Sequence, residues 1–189
     1  MKVIALNSNY TSQAPECDKR VYLMADSSLA KSGKPWFLPE FADEFALRPH
    51  LVFRIGRLGK NIARRFAHRY IDAVTIGASV SASPLPEGAI SQAFDGAAMI
   101  GDFIPIEEIA DVNHITGTFA IEGSQPATLC SADMICKIDE IIEYISQYFT
   151  LKIGDIIYSG FGNDATTLAI DQVLHGTIDG KEVLNIKVK

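Results

Sequence analysis

Residues 131–162 place the strongest limits on how this chain can fold. Apolar side chains recur there at the spacing of a helix, with charged and amide side chains between them. The apolar positions are Ile135, Ile138, Ile141, Ile142, Ile145 and Phe149. Ser131 is a candidate cap for the start of the helix, and residues 152–155 can form the turn that follows it. The segment therefore predicts an amphipathic helix on a core, then a short buried strand at residues 156–158.

Most of the remaining regular structure is predicted to be β-strand. Runs of β-branched and aromatic residues predict strands at residues 2–6, 51–55, 72–82 and 183–188. A second helix is predicted at residues 61–70, with Ile62, Phe66 and Tyr70 on one face. A chain of 189 residues suits one domain with a sizeable core. We predict a single domain over residues 1–189, mostly β with a few helices, in the α+β class.

Charge and hydropathy narrow the classes of partner. The formal net charge is -6 at pH 7, which argues against general nucleic-acid binding. No apolar run approaches the roughly 18 residues of a membrane span, and the start of the chain does not have the pattern of a signal peptide. We expect no nucleic-acid partner, no membrane partner and a cytoplasmic location. Residues 48–69 form a basic run, which predicts either a solvated face or a surface for an anionic partner.

Several segments together resemble one enzyme family. These are Asn9-Tyr10, the Ser-Ala-Asp-Met-Ile run that starts at Ser131, the helix after it, and the Lys-Ile-Gly-Asp-Ile-Ile-Tyr-Ser-Gly run that starts at Lys152. In order and spacing they are similar to the fumarylacetoacetate hydrolase family. The resemblance implies a mixed β-roll with a few helices and assembly as a homodimer. It also implies activity on 2-oxo or 1,3-dicarbonyl acids, with Mg²⁺ or Mn²⁺ stabilising an enolate.

The positions that carry chemistry in that family hold different residues here. The family's histidine and glutamate that activate water correspond to Gln13 and Glu16. Its three metal-binding carboxylates correspond to Arg48, His50 and Ser79, and its lysines to Met24 and Gln92. Mg²⁺ and Mn²⁺ are hard cations that take oxygen ligands, whereas arginine is a fixed cation that repels them. The sequence therefore predicts no metal ligands and no cofactor.

Three interpretations follow from these replacements. The first is a divergent family member without metal-dependent activity, which binds a small molecule or has a structural role. The second is a metal-independent hydrolase, hydratase, isomerase or decarboxylase of a small 2-oxo or acylpyruvate-type acid. Its candidate catalytic residues are Glu16 as the base and His50 as the titrating group, and its candidate substrate-binding residues are Arg48, Ser79 and Ser159. The third is a partner surface built on the basic run, residues 48–69.

Overall fold

The computed structural model describes residues 1–10, 16–162 and 165–189. Gln13 lies outside these ranges. The described residues form two α-helices, α1 (Ala89–Gln92) and α2 (Ile138–Tyr148). The strands, in chain order, are β1 (Val3–Leu6), β2 (Val21–Met24), β3 (Leu29–Lys31), β4 (Glu44–Ile55), β5 (Ile71–Ser83), β6 (Ala98–Ile100), β7 (Ile104–Pro105), β8 (Thr116–Ile121), β9 (Ala127–Cys130), β10 (Ile156–Tyr158), β11 (Thr166–Thr167), β12 (Val173–Ile178) and β13 (Lys181–Lys187).

The strands form two sheets. The larger sheet runs β2-β1-β10-β4-β5-β6-β3, with β11 paired to β4 and β7 to β5. It is mixed, because β1 pairs with β10 and β3 with β6 in parallel, whereas its other pairs are antiparallel. The smaller sheet is antiparallel and runs β13-β12-β8-β9. The mostly β, α+β architecture expected from the sequence is confirmed.

The long β4–β5 ribbon separates two hydrophobic clusters. Leu51 and Phe53 point from β4 into the larger cluster, which also contains apolar residues of α2 and the smaller sheet. Val52 points to the opposite face and joins a smaller cluster with Ile156 and Tyr158 of β10. Alternate residues of one strand therefore serve different layers, as the pleat of a strand requires. None of the helices in the described ranges is long and apolar enough to cross a membrane.

The segment at residues 131–162 folds as a helix, a turn and a buried strand, but its helix starts later than predicted. The α-helix begins at Ile138, after a separate 3₁₀ turn at Ser131–Asp133. Ser131 does not cap α2, because its hydroxyl accepts from the Ile115 amide at 2.9 Å and donates to the Val112 carbonyl. The intervening chain is held instead by Asn9, whose carbonyl accepts from the Ile135 amide at 2.9 Å.

The basic run also departs from the predicted α-helix. Arg64–Tyr70 forms a 3₁₀ helix in which Ala67 is the buried residue and Phe66 is 38% exposed. Arg64 pairs with the carboxylates of Asp139 and Glu140 on α2. This arginine therefore joins the 3₁₀ segment to α2.

Candidate functional site

Three of the predicted site residues meet on one face of the β4–β5 ribbon. Arg48 and Ser79 are direct partners in the antiparallel register, so their side chains leave the sheet on the same side. His50 lies two residues from Arg48 on β4 and shares that face. Beside them is a pocket of about 200 Å³. The residues that line it are Asn7, Tyr22, Arg48, Ser79, Val80, Ser81, Gln92 and Phe161.

Arg48 supplies the positive charge of this pocket. Its side chain is half-buried, and Nη1 donates to the Ser81 hydroxyl at 3.2 Å. The guanidinium carbon lies 5.0 Å from the centre of the Phe161 ring, at the distance of a cation–π contact. No carboxylate of the described residues pairs with it. The ring and the hydroxyl therefore orient the guanidinium while its charge stays available to a ligand.

His50 lies beneath the pocket and is fully buried. Its Nε2 is 2.8 Å from the Ser79 hydroxyl, and the rings of Tyr158 and Phe161 lie edge-on to the imidazole at 5.4 and 5.7 Å. Burial, and then the charge of Arg48, lower the pKa of His50 to about 3, although the backbone of Gly160 opposes this shift. The imidazole is therefore neutral near pH 7. The sequence suggested that His50 titrates near that pH, and the buried position of the ring contradicts this.

Glu16 and Ser159 are not placed in this pocket. Glu16 is exposed and is not one of the residues that line it. Ser159 is fully buried, and its amide donates to the Leu51 carbonyl at 3.0 Å. Tyr158 is the partner of Val52 and shares its face of the sheet. Ser159 follows Tyr158 and therefore points to the other face, with Leu51. The geometry therefore does not support the predicted substrate contact of Ser159.

Asn9 fixes one wall of the site through its side chain. Its Nδ2 donates to the carbonyls of Ser159 at 2.7 Å and Cys136 at 3.0 Å, while its Oδ1 accepts from the Cys136 amide at 2.8 Å. This fully buried amide ties the loop after β1 to the loop after β10 and to the chain before α2. The Asn9-Tyr10 motif therefore has a structural reason, which is to hold the segment that carries Phe161.

Sequence reasoning missed the contribution of Tyr22. Tyr22 projects from β2 into the pocket, and its hydroxyl lies beside Ser79. Burial raises the pKa of Tyr22, although the Ser79 hydroxyl and the charge of Arg48 act in the opposite direction. It is therefore a protonated donor at neutral pH. Local sequence gave no signal for this role, because an aromatic residue in a strand most often belongs to a core.

The residues that meet here do not fit a divalent metal. Arg48 and Ser79 offer the pocket a guanidinium and a hydroxyl, and the imidazole of His50 behind them is already hydrogen-bonded through Nε2 to that hydroxyl. Mg²⁺ and Mn²⁺ favour carboxylate, carbonyl and water oxygens, and a guanidinium cannot act as a ligand. Across the described part of the chain, no three histidine, cysteine or acidic side chains form a group that could hold a metal ion.

Comparisons with known proteins agree with the fold and the motifs. The family described as fumarylacetoacetate (FAA) hydrolase C-terminal matches residues 2–182. An oxaloacetate tautomerase, fahd-1, of Caenorhabditis elegans is 23% identical over 173 residues, covering 84% of this chain and 81% of its own. The oxaloacetate tautomerase YcgM of Escherichia coli is 24% identical over 195 residues, covering 95% and 89% respectively.

A solved structure shows the same fold. The fumarylpyruvate hydrolase of Pseudomonas aeruginosa, in complex with Mn²⁺ and pyruvate, superposes with a TM-score of 0.87 at 19% identity. The match covers 100% of this chain and 89% of that one. Because the family match spans nearly the whole chain and the fold agrees with it, this chain belongs to the fumarylacetoacetate hydrolase family.

Proposed function

We propose that this chain binds a small carboxylate of the 2-oxo or acylpyruvate type directly through Arg48, without a divalent metal. The observation that carries the proposal is the guanidinium of Arg48, which lines a pocket and has no carboxylate partner among the described residues. A charged group that is partly removed from water favours a ligand of opposite charge. Arginine can hold a carboxylate through two parallel N–H donors, which also fixes the orientation of the ligand.

The surroundings of Arg48 favour a small planar acid. Phe161 and Tyr22 supply aromatic walls, while Ser79, Ser81 and Gln92 supply polar groups within a pocket of about 200 Å³. One guanidinium N–H donates to Ser81, and the remaining donors can address the ligand. A 2-oxo acid has a carboxylate for the guanidinium and an adjacent carbonyl oxygen that can accept from a neighbouring hydroxyl.

The ligand class also agrees with the names of related proteins. Two of the relatives above are oxaloacetate tautomerases, and the fumarylpyruvate hydrolase of similar fold holds pyruvate together with Mn²⁺. In our proposal the fixed positive charge of Arg48 attracts the carboxylate, as a divalent cation would in such a site. Arginine cannot act as a Lewis acid, so the proposal assigns it binding and orientation only.

Calorimetric titration tests this proposal. Oxalate, pyruvate and oxaloacetate are titrated into the full chain in excess chelator, and again with Mg²⁺ or Mn²⁺. We expect oxalate to bind equally well in both conditions, and Arg48→Ala to weaken it by about tenfold to a hundredfold, since a hydrogen bond to a charged group contributes about 1.5–3 kcal/mol. Binding that requires the metal, or that survives Arg48→Ala unchanged, would contradict the proposal.

Arg54→Ala provides a matched control for the loss of a guanidinium. Arg54 lies on the same strand and also stacks on a phenylalanine, but Asp72 already neutralises it. We expect Arg54→Ala to leave the oxalate affinity unchanged. An equal loss of affinity in both variants would indicate a general effect of charge instead of a site at Arg48.

An enzyme that converts such an acid is the second candidate function, and the hydrogen bond between Ser79 and His50 favours it. Turnover is tested with a panel of 2-oxo and acylpyruvate-type acids in excess chelator. Conversion of an acid that disappears in Arg48→Ala would establish a metal-independent enzyme. No conversion, together with intact oxalate binding, would leave a non-catalytic binding protein.

A further inference from the structure

The contact between Ser79 and His50 joins a potential nucleophile to a potential base. Ser79 Oγ and His50 Nε2 are 2.8 Å apart, within the range expected for a nucleophile and its proton acceptor. Ser79 also lines the pocket, so a bound molecule can reach its hydroxyl. His50 is fully buried behind it, and its Nε2 contacts that hydroxyl. The pair therefore places a hydroxyl at the binding site and an imidazole directly behind it.

The packing around His50 holds the ring in one orientation. Tyr158 and Phe161 each contact the imidazole edge-on, and the Tyr158 hydroxyl is anchored to the Met99 carbonyl at 2.9 Å. The second ring nitrogen, Nδ1, is buried without a hydrogen-bond partner in the described part of the chain, and the backbone of Gly160 is close enough to affect the ring. With the proton on Nδ1, Nε2 is free to accept the proton of Ser79.

The charge of Arg48 connects ligand binding to the basicity of His50. The positive charge of Arg48 is one of the two causes that disfavour a protonated imidazole. A carboxylate bound to Arg48 offsets that charge and makes proton acceptance by Nε2 easier. Because Arg48 and Ser79 are direct cross-strand partners, a carboxylate on the guanidinium places the rest of the ligand near Ser79.

We propose that Ser79 is a nucleophile for acyl transfer, with His50 as its proton acceptor and Arg48 holding the substrate carboxylate. Ser79 Oγ attacks the acyl carbon and its proton moves to Nε2. The bond from the acyl carbon to the leaving group then breaks, and the leaving group departs with the electron pair and takes the proton from Nε2. Water releases the acyl group by the same steps and restores the hydroxyl. In this mechanism Tyr22, which lines the same pocket as Ser79, donates to the developing oxyanion.

This inference rests on the proposed function, because it uses Arg48 to hold the substrate. The test uses 4-nitrophenyl hydrogen succinate, an activated ester with a free carboxylate, and 4-nitrophenyl acetate as an ester without one. The full chain reacts with each in excess chelator. Release of nitrophenolate gives the acylation rate, and intact mass followed by peptide mapping locates the acyl group.

We expect the succinate ester to acylate Ser79. In the unaltered chain it should react faster than the acetate ester, and Arg48→Ala should reduce this preference at least about tenfold. Ser79→Ala should form no adduct. His50→Gln should slow acylation by about a hundredfold or more, which is the usual effect of removing a general base. Ser83→Ala is the matched control, because Ser83 is an exposed serine at the end of the same strand. It should react like the unaltered chain.

Two further measurements separate a chemical role from a folding defect and from the binding proposal. Thermal unfolding and oxalate titration of each variant show whether the fold and the Arg48 site persist. An unaltered chain that binds oxalate but forms no adduct, or an adduct that persists in Ser79→Ala, overturns the nucleophile and leaves the binding proposal intact. A third outcome is a chain that does not bind oxalate and acylates Ser79 equally well with both esters. That result supports Ser79 as the nucleophile and overturns the role of Arg48.

Discussion

Arg48 and Arg54 occupy the same strand, β4, but have different electrostatic partners. Each guanidinium stacks on a phenylalanine, Arg48 on Phe161 at 5.0 Å and Arg54 on Phe103 at 4.9 Å. Arg54 also donates from Nε to Asp72 at 2.8 Å. Arg48 instead donates to a serine and has no carboxylate partner in the described ranges. An arginine that the fold has already neutralised is structural, whereas one left unneutralised beside a pocket is suited to an anionic ligand.

The two ends of the strand also differ in what lies beneath the arginine. The Arg48 end covers a buried, neutral histidine whose protonation Arg48 opposes. At the Arg54 end, the arginine and its aspartate are both partly exposed, with side chains 38% and 40% accessible. Charge interactions are therefore less screened by water at the Arg48 end. Substitutions at that end should have the larger consequences.

The largest effect is expected from acid. The pKa of His50 is about 3 in the folded chain, compared with an ordinary value near 6.5, so between these values the unfolded chain binds a proton that the folded chain does not. Stability is therefore full above about pH 6.5 and falls as the pH is lowered towards 3, by roughly 1 kcal/mol per pH unit. Urea unfolding from pH 7 to about pH 3.5 measures this loss of stability.

Two variants separate His50 from other titrating groups. His50→Gln should have a shallower slope over this range, because glutamine does not titrate. Arg48→Ala should flatten the curve below about pH 5, because the raised pKa of His50 lets the folded chain take up the proton there. Arg54→Ala should keep the slope of the unaltered chain, and a change there equal to that of Arg48→Ala would remove the distinction between the two ends.

The next effect concerns the backbone that supports the Arg48 end. Gly160 has φ +102°, and a Cβ at this position would lie 2.4 Å from Asn9 Cβ and 2.6 Å from the Asn7 carbonyl oxygen. We expect Gly160→Ala to lower the free energy of unfolding by about 3 kcal/mol, from backbone strain together with the clash. It should also weaken oxalate binding, because the clash disturbs the loop that carries Phe161. Chemical denaturation and calorimetry measure the two effects.

Gly180→Ala is the control for the conformational part of that effect. Gly180 has φ +82°, but a Cβ there would meet no atom within 4 Å. This variant should lose about 1 kcal/mol and retain its affinity for oxalate. If Gly180→Ala loses as much stability as Gly160→Ala, then backbone strain, and not the clash with Asn9, accounts for the loss in each variant.

A smaller effect is expected when Arg48 is given the kind of partner that Arg54 already has. Ser81 Oγ lies 3.2 Å from Arg48 Nη1, so Ser81→Asp places a carboxylate beside the guanidinium. The new ion pair should compete with the ligand and weaken oxalate binding by about 2 kcal/mol, or roughly thirtyfold. Calorimetry of Ser81→Asp beside Ser81→Asn, which adds similar bulk without charge, tests this. Equal affinities in the two variants would contradict it.

The smallest effect is expected at the Arg54 end. Asp72→Asn removes the charge that neutralises Arg54 but keeps the size of the side chain. Because the pair is partly exposed, its loss should lower the free energy of unfolding by less than about 1 kcal/mol and leave oxalate binding unchanged. Urea denaturation and the titration described above measure both quantities. A loss of several kcal/mol would show that the two ends are equally sensitive to charge.

Periodic patterns in the sequence predicted the main elements and missed several of their boundaries. The apolar spacing from Ile138 to Ile145 correctly indicated an amphipathic helix. The same spacing included Ile135, whose amide instead bonds to Asn9, a residue more than a hundred positions away. The helix itself starts after Lys137, whose amide donates to the Glu140 carboxylate, while the distant Asn9 holds Ile135 outside the helix. The basic segment was predicted as an α-helix but forms a 3₁₀ helix, and its pairing with α2 through Arg64 is also a contact that local spacing does not show.

The sequence alone determined the strand-rich pattern and the family motifs at Asn9-Tyr10 and residues 131–160. These are properties of residue type and spacing, which local chemistry reveals. The tertiary structure decided that Arg48 faces Ser79, that His50 lies buried behind it, and that Ser159 points to the opposite side of the sheet. Cross-strand register and the alternating faces of paired strands determine such contacts, and they arise from pairing between distant segments.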